Sequence, residues 1–195
     1  MSRTARIVRK TGETDITLTL TMDTREPSRI DMGVPFLVHM LNSMAFHGGF
    51  SLNIRGTGDI EVDPHHLVED LGLVLGDALT EIRKTSGPCL RFGHSVIPMD
   101  EALSEVTVDA AGRPCLVYQA DYPQSRAGDF DLCLVREFLL ALSNRAGMNI
   151  HALCRYGENS HHMAEALFKA LGKAVAQALT PVEAEGALST KGLLE

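Results

Sequence analysis

The sequence predicts an α+β protein built from one β-β-α-β-β-α unit used twice, with antiparallel or mixed sheets carrying helices on one face. Three observations predict it. Short runs alternate apolar and polar residues with the two-residue period of a half-buried strand. Longer runs between them repeat apolar residues at helical spacing. A stretch of the first half, DPHHLVEDLG at 63–72, returns in the second as NSHHMAEALF at 159–168. Strand pairs alternating with helices place those helices on one sheet face, where each buries its apolar stripe.

In the first half, ITLTLTM (16–22) and FSLNIR (50–55) alternate and read as strands, with GDIEVD (58–63) as a third short one. Residues 35–46 carry Phe36, Leu37, Met40, Leu41 and Met44 at helical spacing. Pro35 suits the first helical position, where its missing N–H has no partner to lose. Asp63 is an N-cap candidate followed by Pro64, and Leu67, Leu71, Val74, Leu75, Ala78 and Ile82 form the stripe of a second helix ending at TSGP.

The second half repeats the order: strands at LSEVTVD (103–109) and PCLVYQADY (114–122), a helix over 131–147, a strand at MNIHALCRY (148–156) and a closing helix opened by Ser160. Laying one half on the other places His39 over Glu137. The division is residues 1–90 and 91–180, each half with its His-His-x-x-Glu motif, and a tail at 181–195. No Gly-, Ser- or Pro-rich linker separates the halves, so they are expected to share one body. The tail EAEGALSTKGLLE is polar and weakly patterned, and reads as a mobile or partner-ordered segment.

The 195 residues, 45% hydrophobic, suffice for a sizeable core. A net charge of −7 with scattered Lys and Arg argues against a nucleic-acid surface or a polybasic membrane patch, which need clustered cations. Cysteines 89, 115, 133 and 154 form neither a CxxC pair nor a dense framework, and read as reduced thiols. With no apolar leader at the N-terminus and no long apolar run, a soluble cytoplasmic protein is expected.

The recurring motif carries the chemistry. Residues four apart on a helix share a face, whereas neighbours point about 100° apart. His65 and Glu69 can therefore reach one ion while His66 serves a second, and His161, His162 and Glu165 repeat the arrangement. A single His-x-x-x-Glu is ordinarily solvated surface; its return in the second half turns the reading to metal. Imidazole with carboxylate suits Mn, Fe, Zn or Ni, and without paired thiolates a structural zinc site is not indicated. His39, on an apolar helix, reads equally as a core histidine or a ligand, and His47, His94 and His151 read as structural.

Arg91, Arg113, Lys169 and Lys191, the last with Ser189 nearby, stand in contexts suited to phosphate, because a guanidinium matches phosphate geometry and Lys adds a point charge. Each alone is equally a solvated charge. No GxxxxGK[ST] or strand-linked GxGxxG is present, so a nucleotide cradle is not supported.

These residues resemble the imidazoleglycerol-phosphate dehydratase family nearly end to end. The resemblance is carried by KTGET (10–14), GVPFLVHML (33–41), HGGFSL, GTGDIEVDPHHLVEDLGLVLGDAL, RFG (91–93), DEAL (100–103), DAAGRPCL, GENSHHMAEALFKAL and STKG. It implies a duplicated subunit, two Mn²⁺ per subunit, sites assembled between subunits of a 24-subunit particle, and conversion of imidazole glycerol phosphate to imidazole acetol phosphate with loss of water. Carried over by position, it implies metal ligation by His39, His65, His66, Glu69, Glu137, His161, His162 and Glu165. It likewise implies phosphate binding by Arg91, Arg113, Lys169, Ser189 and Lys191, and acid–base chemistry by Glu13.

Three positions depart from the family pattern: Val38 where Asp is usual, Leu67 for Thr, and Glu137 where His is frequent. The first removes a hydrogen bond that would orient His39. The third exchanges imidazole for a carboxylate, which Mn²⁺ accepts. The implied reaction removes a carbon-bound proton beside an imidazole, so metal on the ring nitrogens acts as Lewis acid and template, Glu13 moves the proton, and the phosphate clamp holds the chain in place. The same ligands could serve a dinuclear metallohydrolase of a phosphorylated small molecule, or an inactive metal-assembled paralogue.

Overall fold

A computed structural model describes residues 2–183. Ser189, Lys191 and most of the tail expected at 181–195 lie outside the described residues.

The described chain runs β1 (Thr4–Lys10), β2 (Thr14–Thr21), β3 (Arg29–Asp31), α1 (Pro35–Gly48), β4 (Ser51–Gly58) and α2 (His65–Thr85). It then repeats with β5 (Phe92–Met99), β6 (Ala102–Asp109), β7 (Cys115–Gln119), the short β8 (Arg126–Ala127) and β9 (Phe130–Asp131), α3 (Cys133–Ala146), β10 (Asn149–Tyr156) and α4 (Ser160–Ala178). The sheets have matching orders, β1-β2-β4-β3 and β5-β6-β10-β7. In each, the third strand pairs in parallel with the strand that follows the helix, and the other pairs are antiparallel. The fold is α+β and duplicated with mixed sheets, as the sequence indicates. Within each unit the third strand comes before the first helix, giving β-β-β-α-β-α, and the second half adds the β8–β9 hairpin.

Packing between the halves follows from glycine. A Cβ on Gly72 of α2 would stand 2.5 Å from the Phe138 carbonyl oxygen and 2.9 Å from Ala141 Cβ on α3, so the two helices touch along a face that tolerates no side chain there. Gly76, one turn on, faces Arg145, so α2 and α3 run in the same direction. Gly172 of α4 lies likewise against the Met44 carbonyl of α1. One hydrophobic cluster takes Leu18, Leu41 and Leu71 from the first half and Val108, Phe138 and Phe168 from the second. The stripe expected on α2 is buried throughout, from Leu67 to Ile82.

Several local expectations are corrected. GDIEVD is a strand only as far as Gly58; Asp59 to Asp63 form a turn closed by Val62 N–H donating to the Asp59 carbonyl at 2.9 Å. Ile60 and Val62 alternate in sequence but have no strand beside them, and both are exposed. The helix expected from Asp63 starts at His65, with Asp63 Oδ1 accepting from His65 N–H at 2.6 Å. Asn159, rather than Ser160, caps α4 by accepting from His161 N–H at 2.9 Å. Strands β1 and β5, both at sheet edges, carry no alternation strong enough to mark them in the sequence.

Candidate functional site

Parallel packing of α1 with α4 and of α2 with α3 sets the donors. His39, near the start of α1, meets the first turn of α4: its Nε2 lies 3.1 Å from Glu165 Oε2, and His161 Nε2 lies 3.2 Å from the same oxygen. Ligand atoms of His39, His161 and Glu165 all fall within 4.8 Å of one another. Glu165 is buried, which pushes its carboxyl up, but hydrogen bonds from Lys169 and His39 outweigh burial and hold it down to about 2. It is a carboxylate at every physiological pH, with Lys169 Nζ 2.9 Å from Oε1. Two imidazole nitrogens and one carboxylate oxygen converging on a point are a donor set that fits a divalent ion such as Mn²⁺, Fe²⁺ or Zn²⁺.

The first half holds a looser counterpart. His65 Nε2 lies 3.7 Å from Glu69 Oε2, and the His65 and His66 rings stand at 88° to each other, so the neighbours do face different ways. Glu137 is the element-by-element counterpart of His39, but its carboxylate bonds Arg136 at 3.1 Å. Among the described residues it joins no three-donor cluster with His65 and Glu69. His39 Nδ1 has no hydrogen bond among the described residues, and Val38 beside it offers none.

His66 Nδ1 stands 3.0 Å from Asp59 Oδ2, and this hydrogen bond, with the charges of Glu13, Asp59 and Asp63, raises the imidazole pKa against the opposing effect of burial. Glu13, from the β1–β2 hairpin, places Oε1 at 3.8 Å from His66 Nε2. His162 Nδ1 donates to Glu101 Oε2 at 2.9 Å, and Glu101 comes from the β5–β6 hairpin. Hydrogen bonds from His162 and from backbone N–H groups hold the Glu101 carboxyl down to about 2. Sequence reasoning missed both Asp59 and Glu101. Only the position of Asp59 seven residues before His66 could have suggested one of them.

Two concavities flank His39, His161 and Glu165. One of about 690 Å³ is lined by Arg25, Ser43, His47, Phe50, Glu165 and Lys169 among others. The other, about 590 Å³, sets Phe36, Ile60 and Phe130 beside His39 and His161. Both are of small-molecule size. Of the cations expected at phosphate, Lys169 is the only one among the described residues that lines either cavity. Arg91 bonds Asp109 through Nε at 2.7 Å and Nη2 at 3.0 Å, and Arg113 is exposed beyond the end of β6.

A tandem α+β chain with a His-His-x-x-Glu segment at the start of α2 and again of α4, the second joined by His39, defines a class of duplicated enzymes. The model of the imidazoleglycerol-phosphate dehydratase family matches residues 32–175. The chain is 48% identical to the imidazoleglycerol-phosphate dehydratase of Pelobacter propionicus over 196 residues, covering 100% of both. It superposes with a TM-score of 0.83 on the crystal structure of that enzyme from Staphylococcus aureus, at 39% identity over 92% of this chain and 99% of that one. A structure from Pyrococcus furiosus, in complex with (S)-C348, gives a TM-score of 0.83 at 36% identity, covering 96% and 100%. The chain belongs to the imidazoleglycerol-phosphate dehydratase family, and is a hydro-lyase of histidine biosynthesis. Among the described residues, no helix is long and apolar enough to cross a membrane.

Proposed function

We propose that this chain removes water from imidazole glycerol phosphate to give imidazole acetol phosphate, with two Mn²⁺ per subunit, in a particle of 24 subunits. The observation that carries the reading is the meeting of His39 and His161 at one oxygen of Glu165, 126 positions along the chain from His39. His39, His161 and Glu165 would hold one ion; His65, Glu69 and Glu137 would supply another, with His66 and His162 directed to ions shared with neighbouring chains. Ions so held would supply Lewis acidity toward the substrate's imidazole.

The chain's own groups do the rest. Glu13, on its hairpin near the outer nitrogen of His66, moves the proton at the carbon beside the ring. The hydroxyl then leaves as water, and the resulting enol becomes the ketone. Lys169 neutralises Glu165 and lines the same cleft, to which it offers positive charge. Arg91 and Arg113 stand at the far end of β6 from Glu101 and His162, a separation of about 23 Å for that many extended residues. A small phosphate ester cannot span it, so the phosphate clamp belongs to a site completed by another subunit.

The test is incubation with imidazole glycerol phosphate and Mn²⁺. Formation of a ketone without inorganic phosphate is expected. Release of phosphate would instead mark a dinuclear hydrolase, and no conversion an inactive member of the family.

A further inference from the structure

The two hairpin carboxylates of the duplicated unit have taken different jobs. His66 Nδ1 faces both Asp59 oxygens at 3.0 and 3.2 Å, and His162 Nδ1 faces Glu101 Oε2 at 2.9 Å. A carboxylate only accepts, so in both rings Nδ1 carries the hydrogen, and in the neutral ring Nε2 is left with its lone pair. The second oxygen of Glu101 accepts from Asn159 N–H at 2.8 Å and Glu158 N–H at 3.2 Å, which ties the same carboxylate to the backbone just before α4.

The register that lays His66 over His162 lays Asp59 over Arg155, so the second half has no acid at that place. Arg155 is itself bonded to Glu105 at 2.7 Å. The second half takes its carboxylate from the β5–β6 hairpin. The matching β1–β2 hairpin carries Glu13, whose oxygen lies 3.8 Å from the other nitrogen of His66, because Asp59 already occupies Nδ1.

We propose that Asp59 and Glu101 are positioning residues that fix the Nδ1–H tautomer of His66 and His162 and aim Nε2 at metal, and that this substitution of Asp59 for a hairpin acid leaves Glu13 alone free to move protons. The proposal rests on the metal-dependent reading above. Carboxylates behind ligating imidazoles fix ring orientation and raise ligand basicity.

Glu101→Gln separates positioning from scaffolding. Its amide oxygen can still accept from Asn159 and Glu158, while its NH₂ faces Nδ1 and selects the Nε2–H tautomer, which cannot bind metal through Nε2. In full-length, metal-free protein the ¹⁵N resonances of the His162 ring are expected to show Nδ1–H in the wild type and Nε2–H in Glu101→Gln, with Asp59→Asn doing the same to His66. Mn²⁺ titration should show binding weakened about 10- to 100-fold in each, and unchanged in Glu13→Gln. Wild-type tautomers in both variants, or equal weakening in Glu13→Gln, would overturn the proposal. A wild type with the expected tautomers that binds no Mn²⁺ would overturn the metal-dependent reading, and with it the role in aiming Nε2.

Discussion

His39 Nε2 lies 3.1 Å from Glu165 Oε2, joining the first helix of one half to the last helix of the other. Removing His39 should break the donor cluster without disturbing the core, since its side chain is half exposed. His39→Ala is expected to weaken binding of one Mn²⁺ per chain by a factor of ten or more, about 1.4 kcal/mol or above. Titration of metal-free protein measures it, and unchanged stoichiometry and affinity would remove His39 from the ligand set.

At Gly72, α2 meets α3 with no room for a methyl group. Gly72→Ala pushes a carbon against the Phe138 carbonyl and Ala141. Overpacking of this kind costs about 1–3 kcal/mol. The urea midpoint should fall accordingly, although alanine is the better helix former.

Reading these contacts from sequence succeeds where burial is one-sided and fails elsewhere, for identifiable reasons. The helices announce themselves because Leu71, Val74 and Ile82, or Leu134, Phe138 and Leu142, recur on one face that is buried. Strand β1 is hidden because Ala5 is its only buried residue, and β5 because its inward face is Gly93 and Ser95 rather than large apolar groups. The donors proposed for metal stand out in the sequence through their doubling, whereas Glu101 reaches His162 from a hairpin 61 positions away, which no local pattern encodes.

Arg3 ties the N-terminal strand to the rest by bonding Asp23 at 2.7 Å and the Leu179 carbonyl at 2.7 Å. The hydrogen bond from Arg3 holds the Asp23 carboxyl below its usual value of 3.8. A folded pKa lower than the unfolded one gives stability that is present above about pH 4 and is lost as pH falls through the folded value. Asp23→Asn should melt slightly below wild type at neutral pH, and the two curves should converge in acid. The effect is small because the pair is partly exposed. A constant difference down to the most acidic folded condition would show that the charge plays no part.

Arg91 and Arg113 should respond differently to truncation. Arg113 is exposed, and among the described residues its bond is through its carbonyl, which accepts from Asn149. Arg113→Ala is expected to cost about 1.5–3 kcal/mol of phosphate-ester binding, the scale of a hydrogen bond to a charged group, with the melting temperature unmoved. Arg91→Ala also strands Asp109, so both binding and stability should fall. Equal loss of stability in both variants would make Arg113 a structural residue.

The central claim is that Glu13 moves the carbon-bound proton while metal and phosphate are held by other groups. Glu13→Gln keeps size and polarity but cannot take a proton. The direct measurement is kcat of this variant alongside its bound Mn²⁺ and its affinity for imidazole glycerol phosphate. The account predicts unchanged metal content and affinity with turnover reduced by about 10² or more, the scale of a lost general base. Near-native kcat in a fully metal-loaded Glu13→Gln protein would contradict it.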